Sequence, residues 1–328
     1  MAKYRHSLPQ LGGDFFMTDG GIETTLIFLD GLDLPYFSAF HLFKTPAGES
    51  ALRDYFRTYG DLARKFSAGL ILETATWRCN PDWGVRLGYS TEALSDADRK
   101  SVLLLEEIRN EYEGDGSPIV ISGCIGPRGD GYVPDMAMSE REAEDYHRMQ
   151  IETFAETAAD LVTAITINYV EEAIGVARAA KRAAMPAVIS FTVETDGNLP
   201  TGQSLADAIK QVDEATSAYP AYFMINCAHP SHFDPVVLAD ESWTARIRGL
   251  RANASRMSHA ELNETPELDA GSPTELGQEY AALRMHKLKR LNVMGGCCGT
   301  DHRHVEQIAI ACQPMFRKVT SQETLAPN

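Results

Sequence analysis

Eight short apolar runs, rich in valine, isoleucine and leucine, recur along the chain with little polar alternation inside them. They cover residues 15–18, 69–73, 118–122, 161–167, 187–193, 221–225, 246–250 and 291–294. A strand with one wet face alternates apolar and polar residues, whereas a parallel strand covered on both faces does not. The pattern therefore predicts a parallel sheet enclosed by helices. Helical periodicity fills the intervals, most clearly over 52–67, 139–159, 170–184, 204–218 and 274–290. Ser139 precedes Glu142 by three residues, the spacing of a reciprocal helix cap, and Ser204 stands in the same relation to Asp207. Eight strand–loop–helix units predict a (β/α)8 TIM barrel. The competing arrangement is a doubly wound open sheet, but no GxGxxG turn follows the first run. A chain of 328 residues is of ordinary barrel length. Residues 1–328 are read as one barrel domain, with an irregular N-terminal segment (1–13) and a polar C-terminal tail (318–328). A long polar stretch, residues 252–273, lies on the face where barrel enzymes carry their sites. It reads equally as a substrate lid or as a surface insertion.

The formal net charge is −16, which argues against nucleic acid or an anionic membrane as the main partner and is compatible with a cationic small ligand. No apolar run is long enough to span a bilayer, and the opening MAKYRHSLPQLGGDFF lacks a secretory apolar region. A cytoplasmic location is expected. In such a reducing compartment the six cysteines (79, 124, 227, 297, 298 and 312) read as free thiols or metal ligands rather than a disulfide framework.

Two of the apolar runs end in cysteine. The eighth leads into NVMGGCCGTDH (292–302), and the sixth leads into YFMINCAHP (222–230). In a closed barrel the carboxyl ends of all strands share one rim, so Cys227 can meet Cys297 and Cys298 there. Zinc prefers sulfur and nitrogen ligands, and three protein ligands leave one position for a substrate. Gly295, Gly296 and Gly299 permit the sharp turn that adjacent ligands require. Other readings stand beside this one. Buried cysteines are usually small hydrophobes, the reading given to Cys79, Cys124 and Cys312. Adjacent cysteines can form a vicinal disulfide, and His229, His232, His302 or His304 could close a structural zinc site.

GGCCGTDH, with NC about seventy residues upstream, resembles the homocysteine S-methyltransferase family. Supporting segments are DGGIETTL (19–26), ETATWR (73–78), SGCIGPRGDGY (122–132) and ANAS (252–255), so the resemblance runs nearly end to end. It implies zinc-dependent methyl transfer on a (β/α)8 barrel, with Cys227, Cys297 and Cys298 as zinc ligands and the acceptor thiol at the remaining position. It also implies that Asp19, Gly20 and Gly21 help hold the acceptor's amino and carboxylate groups; otherwise the two glycines serve only a tight turn. Thr74 and Thr76, ending the second run, are candidates to position a substrate or to cap the next segment. Asn226 is a candidate brace for the loop of Cys227.

One departure from the family bears on the acceptor. Many relatives carry a glutamate near the end of the fourth strand that helps bind the acceptor's ammonium group, and aligning AITINYVEEA (164–173) on the shared EEA places Ile165 there. An isoleucine cannot pair with an ammonium ion. Asp19 or another acid on the same rim, such as Glu194, is left to do so, or the acceptor is another thiol. The expected partners are a small thiol acceptor and an onium methyl donor: S-methylmethionine, S-adenosylmethionine or a betaine-like compound. Trp77, Trp83, Tyr89 and Tyr132 are candidate cation–π contacts for that donor, or ordinary packing. A catalytically silent zinc-binding barrel is the alternative from a different class.

Overall fold

The structure is a computed structural model, and it describes residues 1–115, 117–264 and 267–316. Its sheet is a closed eight-stranded barrel in sequential order. The strands are β1 (Phe16–Met17), β2 (Gly69–Glu73), β3 (Ile119–Ile125), β4 (Leu161–Ile167), β5 (Ala187–Phe191), β6 (Tyr222–Asn226), β7 (Ile247–Ala252) and β8 (Val293–Gly296). Every pairing is parallel, and β1 closes on β8 through Phe16 opposite Val293 and Met17 opposite Met294. The barrel expected from the apolar runs is the fold observed.

The helices are α1 (Pro46–Phe66), α2 (Pro81–Leu87), α3 (Thr91–Tyr112), α4 (Glu140–Ala155), α5 (Val170–Arg182), α6 (Leu205–Thr216), α7 (Pro230–Phe233), α8 (His259–Glu264), α9 (Pro273–His286) and α10 (His302–Cys312). Their starts follow capping chemistry. Thr45 accepts from the Gly48 amide ahead of Pro46, and Ser139 and Glu142 form the reciprocal cap expected from their spacing. No helix of the described residues is long and apolar enough to cross a membrane.

Two residue layers inside the barrel position the site. Phe16, Ile71, Val120, Leu161, Val188, Tyr222 and Val293 pack as an apolar plug with Leu8. Side chains two positions further along a strand point the same way. On β2 to β5 those positions are Glu73, Ser122, Thr163 and Ser190, all buried. The Ser122 and Thr163 hydroxyls bond each other at 2.7 Å, and Ser190 donates to Asn226 at 2.6 Å. The expectation of almost uniformly apolar strands is corrected here: the layer nearest the rim is polar, and its members satisfy one another across neighbouring strands.

The N-terminal segment is tied down. The Lys3 and Tyr4 amides both donate to Asp160 Oδ1 at 2.7 Å, and Arg5 reaches the carbonyls of Ala155, Thr157 and Ala159. The expected tail at 318–328 lies outside the described residues.

Asp301 caps α10 by accepting from the Arg303 amide at 2.9 Å. Burial alone would raise its carboxyl, but hydrogen bonds from His304 and Arg303 outweigh burial and hold it well below the usual carboxylate range. A depressed acid stabilises the fold fully above its unfolded pKa of about 4 and loses that contribution as the pH falls below it. Asp301→Asn is therefore expected to lower the melting temperature at pH 7 and to flatten the acid limb of a stability–pH profile measured below about pH 4.

Candidate active site

Cys227, Cys297 and Cys298 converge as their strand ends predict. Their sulfurs all lie within 4.8 Å of one another, and Cys227 and Cys298 are 3.7 Å apart. The backbone is shaped for this. Cys227 sits at φ +53, a left-handed conformation that L residues adopt at a cost, held by its amide bond to the Arg251 carbonyl at 3.1 Å. Around the adjacent pair, Thr300 Nα and Oγ1 both donate to the Cys297 carbonyl, and Gly299 takes φ +78. Only Gly299 of the three glycines supplies a turn. Gly295 and Gly296 belong to β8 and are needed for close approach: a Cβ at Gly295 would lie 1.9 Å from Thr18 Oγ1, and one at Gly296 2.1 Å from Thr300 Oγ1.

The expectation of free thiols or metal ligands rather than disulfides requires correction at Cys227 and Cys297. The structure joins Cys227 and Cys297 as a disulfide with Cα atoms 5.5 Å apart, and not the adjacent pair 297–298. Sulfurs gathered closely enough to share an ion are also close enough to oxidise. The two states exclude each other, because a metal ligand must be a thiolate. Among the described residues Cys79, Cys124, Cys298 and Cys312 are free, and Cys79, Cys124 and Cys312 are buried as expected of small hydrophobes.

The sulfurs stand in the wall of a cavity of about 320 Å³ at the carboxyl ends of the strands. Tyr132 reaches them: its hydroxyl donates to Cys227 Sγ at 3.4 Å and lies 3.6 Å from Cys298 Sγ. Burial and the Cys298 sulfur push this hydroxyl well above its usual pKa, so it stays a donor. His259 stacks on the Tyr132 ring, with centroids 4.0 Å apart, and contacts the Cys227 carbonyl at 2.5 Å through Nε2. His259 lies on α8, within the 252–273 stretch. Asn253, Ser255, Leu262 and Asp269 of that stretch also line the cavity, so it forms a wall of the site rather than a remote insertion.

Asp19, Gly20, Thr74 and Thr76 line the cavity, yet their polar groups are largely engaged within the protein. Asp19 accepts from Arg251 at 2.5 Å and from the Tyr55 hydroxyl at 2.8 Å. The Gly20 carbonyl takes Tyr55 and Arg251, and the Gly21 amide is held by Thr300. Thr74 and Thr76 bond each other at 2.6 Å and brace Cys124 of β3. Asn226 does not line the cavity and ties three strands together. Its Oδ1 accepts from the Thr166 amide and the Ser190 hydroxyl, and its Nδ2 donates to Thr166 Oγ1 and lies 4.0 Å from Cys297 Sγ. It thereby fixes Thr166, a β-branched residue at φ +65 in a β4 irregularity. Glu194 does not line the cavity; it stands behind His259, 3.3 Å from Nδ1. Ile165 does line it and adds an aliphatic patch to its wall.

Arg251 was not among the residues expected at the site. Buried on β7, it spends its guanidinium on Asp19, on Glu73 at 2.9 Å, and on the carbonyls of Gly20 and Gly296. One cation thus serves two buried carboxylates, and burial lifts Glu73 to about 7 in spite of it. Glu23 and Arg78 also line the cavity and were likewise missed. Of the aromatic candidates, Trp77 and Tyr132 reach the cavity; Trp83 stacks against Arg78 and Arg86, and Tyr89 packs with Phe40 and His41.

A (β/α)8 barrel with a three-cysteine cluster at its catalytic rim defines a metal-capable enzyme site. Comparison with known proteins specifies it further. The family model described as homocysteine S-methyltransferase matches residues 16–312, and the chain belongs to that family. A homocysteine S-methyltransferase of Arabidopsis thaliana is 25% identical over 92% of this chain and 93% of its own length. The selenocysteine Se-methyltransferase of Brassica oleracea is 26% identical over 90% of this chain and 88% of its own length. The solved homocysteine methyltransferase MmuM of Escherichia coli, in its oxidised form, superposes with a TM-score of 0.71 at 18% identity, covering 94% of this chain and 99% of that one. A likeness that distant speaks to the fold.

Proposed function

We propose that this chain moves a methyl group from an onium donor to a small thiol, homocysteine foremost, at a zinc site formed by Cys227, Cys297 and Cys298. The observation that carries this reading is the convergence of three sulfurs from two strand ends in one cavity wall. The donor set fits the ion. Zinc–sulfur bonds of about 2.3 Å in a tetrahedral arrangement bring sulfurs to roughly 3.8 Å from one another, against 3.7 Å between Cys227 and Cys298. Zinc bound there would hold an acceptor thiol deprotonated, where a free thiol of pKa about 8.5 is mostly protonated.

The remaining work falls to the protein. Tyr132, donating to the Cys227 sulfur, orients that ligand. Trp77, Phe28, Phe37 and Ile165 give the cavity an apolar wall suited to a methylated cation. In the transfer the acceptor's sulfur forms a bond to the methyl carbon. The bond from that carbon to the onium sulfur or nitrogen breaks, and its electron pair stays on the departing atom. Opposite charges are neutralised, so a water-poor cavity favours the step. Glu194 and Asn226 support the Cys227 loop from outside, through His259 and Thr166 respectively.

The test is a donor screen on reduced, zinc-loaded protein with S-methylmethionine, S-adenosylmethionine and betaine against homocysteine. Methyl transfer from at least one donor is expected, with loss on chelation and return on adding zinc. Full activity in metal-stripped protein would refute the assignment.

A further inference from the structure

The Ile165 substitution leaves open which groups in the cavity recognise the acceptor, and the hydrogen-bond inventory narrows them. Asp19 and Glu73 are committed to Arg251. Asp130 accepts the amides of Tyr132 and Val133, and Asp269 accepts the Gly271 amide. Glu267 is exposed at the outer rim. Glu23 lines the cavity from the segment after β1, and its carboxylate takes neither an ion pair nor a hydrogen bond from another described residue.

The cations divide in the same way. Arg251 is saturated by four acceptors. Arg78 is buried with its guanidinium clamped between the rings of Trp77 and Trp83, at 4.2 and 4.1 Å, and Nη1 donates to the Gly129 carbonyl at 2.6 Å. Its Nε is buried without a hydrogen-bond partner. A buried guanidinium N–H left unpaired is costly and awaits an acceptor. Glu23 and Arg78 feel each other's charge but are not in contact as an ion pair. An α-amino acid carries an ammonium and a carboxylate on one carbon and complements such a divided pair.

We propose that Glu23 and Arg78 form the two-point reader of the acceptor's α-amino-acid end, Glu23 taking the ammonium group and Arg78 the carboxylate. This rests on the methyl-transfer reading for the thiol end of the same molecule. It makes the acceptor class α-amino-acid thiols and selenols rather than simple thiols. Glu23 supplies the charge that Ile165 cannot, from the segment after β1 rather than from β4. Burial lifts the Glu23 carboxyl to about 7, as expected of a carboxylate lacking its counter-ion.

Three acceptors separate the two contacts: L-homocysteine, 4-mercaptobutyrate, which lacks the ammonium, and 3-aminopropane-1-thiol, which lacks the carboxylate. Glu23→Gln is expected to raise KM about 10- to 100-fold for homocysteine and the aminothiol, the loss of one charged hydrogen bond, and to leave mercaptobutyrate unchanged. Arg78→Met should show the mirror image, raising KM for homocysteine and mercaptobutyrate alone. The near-isosteric Glu23→Gln decides the matter if the arginine variant does not fold. An unchanged KM for homocysteine, an equal rise for all three acceptors, or a rise confined to the methyl donor would overturn the proposal. Should the wild-type protein methylate no thiol, the functional reading fails by itself. The pair is then judged by calorimetry with L-methionine: binding lost in both variants supports it, and no binding by the wild-type protein overturns it.

Discussion

If the proposed centre is right, Cys227→Ala and Cys298→Ala are each expected to lower zinc content from about one ion per chain to a small fraction of that, and to abolish methyl transfer. Two sulfurs cannot hold an ion against solvent in a site that already leaves one position for substrate. Cys227 is the more telling position, because it brings the only proposed ligand from the end of β6 and its left-handed backbone fixes where the sulfur points. Metal analysis on protein purified under reducing conditions is the first measurement. Reduction is essential, since Cys227 and Cys297 can pair with each other and then offer no thiolate. Cys312→Ala is the control: that thiol is buried at the end of α10 and is not one of the clustered sulfurs, so its loss should leave metal content unchanged. If Cys298→Ala kept a full complement of zinc, the three-sulfur centre would be wrong. A fourth protein ligand would then have to be sought.

How much of this was legible in the sequence depended on whether the signal was local. The three cysteines announce themselves because each lies within a few residues of the end of an apolar run, and the barrel then brings two strand ends together. Strand ends were harder to read. β3, β6, β7 and β8 all continue past their apolar stretches, into Cys124 and Ile125, Asn226, Arg251 and Ala252, and Gly295 and Gly296. Of those residues Cys124 and Arg251 line the cavity, so part of the functional end of a strand is what apolar periodicity hides. Arg251 is the clearest case. Nothing near it in the chain suggests that it sits between Asp19 and Glu73, which lie 232 and 178 residues away. Only closure of the barrel makes them neighbours. α3 was absent from the helices singled out for a related reason: its inward face carries Asp98, Ser101 and Arg109, which interrupt the apolar stripe while bonding Gln150, the Ala75 amide and Asp160. Asp19 shows the limit of carrying a role over by motif. The motif placed it in the cavity correctly, but its partners within the protein can be seen only in the folded chain.

The second large effect is expected at Arg251 itself. Arg251→Met removes the one cation between two buried carboxylates and frees the carbonyls of Gly20 and Gly296. Breaking a buried ion pair from one side costs about 3–5 kcal/mol, because the partner charge is left without compensation. The variant should therefore unfold at markedly lower denaturant concentration and lose methyl transfer with it. The cost has a pH signature. With Arg251 present, burial already lifts Glu73 to about 7; without it, the carboxyl rises further and stays protonated in the folded state. An acid whose folded pKa exceeds its unfolded value withholds stability as the pH rises between the two, since the unfolded chain releases a proton that the folded chain keeps. Arg251→Met should accordingly be least damaged near pH 5 and progressively worse towards pH 8. Arg251→Lys keeps the charge but lacks the planar fork that reaches four acceptors, so it should fall between wild type and the methionine variant. Combining Arg251→Met with Asp19→Asn and Glu73→Gln removes the stranded charges and should recover stability but not activity. That separation of stability from activity would locate the role of Arg251 in holding the β1, β2 and β8 ends in register around the cavity, while equal recovery of both would show the buried cluster to be dispensable to the chemistry.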